Sequence, residues 1–189
     1  MREPRASSTL PAGVDHLRMI VGHHVWATLR LVDRCLELSP EELAPSTPGT
    51  YGSIHATLAH LVRGDVGFRR WIEDQEVVCG EQGPPAPVAT LRADMEQQGY
   101  RWRELLDSES ELAATNVGLL LTQAVHHGAD HRTHVCSILG AHGLQVPDLS
   151  AWAYIASSGT PFGCECEAVK PFSIQDDPDG NEVEVTGPA

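Results

Sequence analysis

The chain has 189 residues; 41% are hydrophobic, only 5% are aromatic, and 26 acidic side chains outnumber 13 basic ones for a net charge of −13. That length suits one domain with an appendage, and the apolar fraction supports a core of Leu, Val, Ile and Ala. The only lysine is Lys170 and no cationic run occurs, which excludes the phosphate-neutralising surface of a nucleic-acid binder and argues against an anionic membrane surface.

Residues 1–12 read as a flexible tail without the apolar core of a signal peptide. The first helix is expected from about Asp15 to Leu38, because Leu17, Val21, His24, Thr28, Leu31, Cys35 and Leu38 recur at alternating spacings of four and three. "SPEEL" and "PSTPG" end it. The second is expected from about Ser53 to Gln75, with Ile54, Leu58, Leu61, Asp65, Phe68 and Ile72 on one stripe. Beside that stripe lie Thr57, His60, Gly64, Gly67 and Trp71, and the small residues leave room against the helix. The loop "CGEQGPPAP" breaks the chain.

A third helix is expected over about Val88 to Asp107, through Leu91, Met95, Trp102 and Leu105. The fourth runs from about Asn116 to His142, with Thr115 or Asn116 capping its start and Gly143 and Pro147 stopping it. Four such helices suggest an all-α protein, a four-helix bundle spanning residues 13–147. The remainder, 148–189, reads as an extension in which "KPFSIQDDPDGNEVEV" forms a short β-hairpin about a Pro-Asp-Gly-Asn turn.

The five cysteines include no C-x-x-C pair, so neither a disulfide framework nor a zinc ribbon is expected. No apolar run approaches the ~18 residues of a membrane span. A reduced, cytoplasmic protein is the expectation.

Chemistry concentrates in "AVHHGADHRTH", residues 124–134, where four histidines fall in eleven positions. Residues four apart on a helix point about 40° apart, so His127 and His131 face one way, one turn from each other. Two such imidazoles can clasp one metal ion. His134 lies farther along the same face, and His126 points elsewhere. The third ligand must come from another helix, and His60 on the small-residue face is the candidate. Three neutral imidazoles suit Zn or Ni, with Fe, Co and Mn as further options, and leave coordination positions open. Gly128 occupies the slot of the general-base Glu in H-E-x-x-H, which disfavours metalloprotease chemistry. His24, on the inward stripe of the first helix, is the candidate catalytic acid or base. Asp65 is a candidate to orient an imidazole.

Over roughly residues 15–150 the chain resembles the DinB-like (YfiT-like) metal-binding four-helix bundles. "HHVWATLRLVDRCLELSPEEL", "YGSIHATLAHLVRGDVGFRRWI" and "HHGADHRTHVCSILGAHGLQVPDL" carry the resemblance. The family pattern of a T-L-x-H-L-like stretch, an H-G-x-x-H-R-like stretch and a G-x-x-x-P-D-like ending reads here "TLAHL", "HGADHR" and "GLQVPDL". The resemblance implies metal ligands at His60, His127 and His131. It departs at Asp130, where the family often has another histidine. It also implies relatives among mycothiol- or bacillithiol-dependent transferases and maleylpyruvate isomerases, and hence a low-molecular-weight thiol cosubstrate.

Three functional expectations stay open at this point. One is a thiol S-transferase or isomerase acting on a small-molecule substrate. Another is a hydrolase using metal-activated water, with His24 moving protons. The last is a non-catalytic metal-binding stress protein. A homodimer formed through exposed helix faces is also expected.

Overall fold

A computed structural model describes residues 12–74, 83–108 and 117–158. Its elements are α1 (Ala12–Leu36), α2 (Pro40–Leu43), α3 (Ile54–Asp74), α4 (Val88–Asp107), α5 (Val117–Ala141) and α6 (Ala151–Ser158). The described residues are all-α and contain no strand. The expected hairpin, the cap at Thr115 or Asn116 and almost all of the N-terminal tail lie outside them. None of the helices among the described residues is long and apolar enough to cross a membrane.

Local chemistry explains the ends of the elements. Ser39 caps α2 through a reciprocal capping box with Glu42, and Pro40 occupies the first turn, where its missing N–H costs nothing. At the end of α5 the chain turns at Gly143, whose φ of 68° is the left-handed conformation that glycine adopts without strain. Leu144 N–H then returns to the Leu139 carbonyl at 2.9 Å. The short helix α2 lies within "SPEEL", expected only to end the first helix, and α6 lies at the start of the extension expected over 148–189.

The four long helices pack chiefly as α1 on α4 and α3 on α5, with α3 also on α4 and α1 on α5. Both principal pairs are antiparallel. Along α1 and α4, Arg18 pairs with Asp107, Val25 meets Gly99, and Asp33 pairs with Arg92. Along α3 and α5, His60 meets His131 while Phe68 meets His127. The helix α6 buries none of its residues. It is seated on α1 through Tyr154, whose hydroxyl lies where a side chain on Gly22 would stand.

The core is divided. One apolar cluster gathers Leu31, Val32, Leu58, Val62, Met95, Val135 and their neighbours. The other gathers Val21, Ile72, Trp102, Leu106, Leu121 and Ala124. Between them each long helix contributes a polar stretch: His24 and Thr28, Asp65, Gln98, and His131 with Arg132, all buried. Apolar burial contributes about 25 cal/mol per Å², so such a belt in the middle of a small protein forgoes stabilisation unless its groups satisfy one another. The belt is where the histidines sit.

Candidate metal centre

His127 and His131 project from α5 one turn apart, as their spacing requires. His60 reaches them from α3. One ring nitrogen from each of the three lies within 4.8 Å of the other two. The Nε2 atoms of His60 and His127 are 3.0 Å apart, and the ring centroids of His127 and His131 are separated by 4.4 Å. Nitrogens bound to one zinc ion at 2.0–2.1 Å stand about 3.3 Å from each other. The spacing and the neutral-nitrogen chemistry of the set therefore fit a divalent cation, and the three residues could hold one. His131 is buried, while His60 and His127 are half-buried, so the group opens on one side.

One glycine makes room for a ring of the triad, and another makes room for the neighbouring His24. A Cβ on Gly64 would come 2.5 Å from Cε1 of His127, so only glycine lets that ring lie against α3. A Cβ on Gly128 would come 2.3 Å from Cε1 of His24. Aromatic rings wall the group: Tyr51 stacks on His60 at 4.1 Å and stands edge-on to His131 at 5.1 Å, and Phe68 is edge-on to His127 at 5.3 Å. Burial, reinforced by the imidazoles of His131 and His60, pushes His127 down from 6.5 to about 4 against the opposing pull of Asp65. The ring therefore stays unprotonated, as a metal ligand must be, well below neutral pH.

His24 does not join the three. It is 1% exposed, and both of its ring nitrogens are occupied. Nε2 lies 2.8 Å from Asp65 Oδ1, and Nδ1 lies 3.1 Å from Nη1 of Arg132. A guanidinium has only donors, so Nδ1 accepts and Nε2 carries the proton donated to Asp65. Trp102 Nε1–H donates to the other carboxylate oxygen at 2.8 Å, and Arg132 also donates to Thr28 Oγ1 at 3.0 Å. The network ties all four long helices together. It leaves His24 no ring nitrogen for proton exchange with a substrate, which argues against the acid–base role expected of it. Asp65 orients His24 and Trp102 rather than a ring of the triad.

His126 and Asp130 are exposed, whereas His134 is half-buried with its ring 5.4 Å from that of His131. No role is expected from sequence for Tyr51 or for Arg132, although Arg132 is the arginine of the H-G-x-x-H-R-like stretch. Tyr51 precedes its helix, where periodicity says nothing, and a single Arg beside a histidine is a common surface pattern. Phe68 was visible as a stripe residue two turns beyond His60, although its contact with His127 was not. No protein-family model matches the chain, and no curated protein is similar to it.

Proposed function

We propose that the chain is a divalent-metal protein of the DinB-like kind, with Zn or Ni as its ion, acting as a low-molecular-weight-thiol S-transferase or isomerase. In this reading the four long helices are the family's bundle. The observation that carries it is the convergence of His60, His127 and His131, three neutral donors from two helices, on one small volume. The resemblance of "TLAHL" and "HGADHR" to the family's ligand stretches supports the same three residues. A cation held there supplies Lewis acidity that favours the ionised form of a thiol.

The chain's own residues do the rest. His131 anchors the site from within the buried belt. His60 and His127 form its half-exposed rim. Tyr51 and Phe68 set aromatic rings beside the rim, stacked on His60 and edge-on to His127, and so hold the two rim imidazoles in place. The Asp65–His24–Arg132 network holds the helices that carry the three rings.

Isothermal titration of metal-stripped protein with zinc and nickel tests the ion, and titration of the loaded protein with small thiols tests the cosubstrate. One ion per chain, lost in His60→Ala, together with thiol binding to the loaded protein, is expected. Absence of stoichiometric binding, or a His60→Ala variant that binds like the parent, overturns the metal site. Thiol-independent, chelator-sensitive hydrolysis of a chromogenic ester would move the chemistry from thiol to water.

A further inference from the structure

The antiparallel register of α3 and α5 extends the site beyond the three histidines. Gly64 lies against His127, and His60 lies against His131. Each step back along α3 is thus matched by an equal step forward along α5. Seven residues make two helical turns and return to nearly the same face. Thr57 lies seven before Gly64, and His134 lies seven after His127, so the next rung of this ladder sets Thr57 opposite His134.

Both carry a buried polar atom with nothing to bond. Thr57 is wholly buried, and its Oγ1 has no hydrogen-bond partner. Nδ1 of His134 is also buried without one. A helical threonine commonly returns its hydroxyl to the carbonyl four residues earlier. Thr28, Thr122 and Thr133 do so here, to His24, Gly118 and Ala129. Thr57 does not. Orphaned buried groups are uncommon and costly, and a bound acceptor is one way to complete them.

We propose that Thr57 and His134 form a polar subsite contiguous with the triad, which anchors the carboxylate or carbonyl oxygen of a small molecule whose other end reaches the ion. This rests on the metal-site reading above. The hydroxyl and an Nδ1–H both donate, so an acceptor oxygen satisfies the two together. A divalent cation on three neutral imidazoles makes the surroundings positive and favours an anionic group. One turn of helix separates the subsite from the triad, roughly 5 Å. The ligand therefore carries its metal-seeking atom and its acceptor oxygen two or three carbons apart.

Cobalt-loaded full-length protein, kept anaerobic, provides the test through its visible spectrum. The probes are 3-mercaptopropionate and 1-propanethiol, which share a thiol and differ in the carboxylate. The acid is expected to bind at least about tenfold more tightly. Thr57→Val and His134→Leu should each erase most of that margin without changing propanethiol binding or cobalt affinity. Thr57→Ser and His134→Asn, which keep a donor near the same place, should retain much of it. If the two thiols bind alike, or Thr57→Val weakens both equally, the subsite is overturned while the metal centre stands. If His134→Leu weakens cobalt itself, His134 is a ligand and the subsite is again overturned. Absence of any cobalt spectrum removes the metal reading and this inference with it.

Discussion

Replacing Gly64 by alanine isolates the contribution of a missing methyl group to the histidine cluster. In the interior of a helix, alanine is normally the better residue by ~1 kcal/mol. Here the added carbon would stand 2.5 Å from Cε1 of His127 and 3.1 and 3.2 Å from its ring nitrogens, whereas ordinary contact begins at 3.4 Å. Either the ring or the spacing between α3 and α5 must yield. Overpacking of this kind costs about 1–3 kcal/mol. Set against the propensity gain, Gly64→Ala is expected to be neutral to ~2 kcal/mol destabilising. Its larger effect falls on the cluster, because the displaced ring belongs to it. A misplacement costing ~1.4 kcal/mol in binding already weakens zinc about tenfold. Gly118→Ala on α5 is the control, since nothing lies within 4 Å of its new carbon. It should gain up to ~1 kcal/mol and leave zinc affinity alone. Urea denaturation of the metal-free proteins and zinc titration against a chromophoric chelator read the two effects. A Gly64→Ala protein as stable as Gly118→Ala and with parental zinc affinity would refute the reasoning.

Further outcomes follow from the buried belt. Asp65→Asn leaves two N–H donors, from His24 and Trp102, facing a group with one acceptor, and removes the countercharge of Arg132; a loss of about 3–5 kcal/mol is expected in urea denaturation, and a loss below ~1 kcal/mol would contradict the network. Because the folded state holds His127 down at about 4, the unfolded chain takes up its proton first as pH falls; metal-free protein should be most stable above 6.5 and weaken between 6.5 and about 4. His127→Asn should flatten that slope in urea midpoints measured across the range, and an unchanged slope would dissociate it from His127. Burial pushes the Cys35 thiol up to about 12, so peptide mapping after iodoacetamide treatment at pH 8 should find Cys35 unmodified in native protein and alkylated in denaturant.

Much of the helical frame was legible because it rests on periodicity. The third expected helix has the bounds of α4, Val88–Asp107, and the stripe through Val21, His24, Thr28, Leu31 and Cys35 is the buried face of α1. The i, i+4 spacing of His127 and His131 fixes their common direction in any helix, and the gap beside His60 is visible as Gly64. What escaped depends on partners far apart in the chain. Nothing local to His24 tells that its nitrogens meet Asp65 and Arg132, 41 and 108 residues away. Position on an inward stripe is common to a packed histidine and a catalytic one, and only the contacts separate them. The helix α6 leaves no local signal for a related reason. "AWAYIASS" is too short to show a period, and its Tyr154 docks against His23, Trp26 and the gap beside Gly22 on another helix.

His60 and His127 are 67 positions apart in the chain, yet their Nε2 atoms stand 3.0 Å from each other. An ion shared between them would close that loop as a covalent cross-link does, and would remove much of the freedom of the unfolded chain. Unlike a disulfide, the clasp answers to acid and chelators instead of reductants. Under the proposed metal reading, cellular metal supply would then set how firmly α3 and α5 are fastened, and the protein's lifetime would become a gauge of that supply.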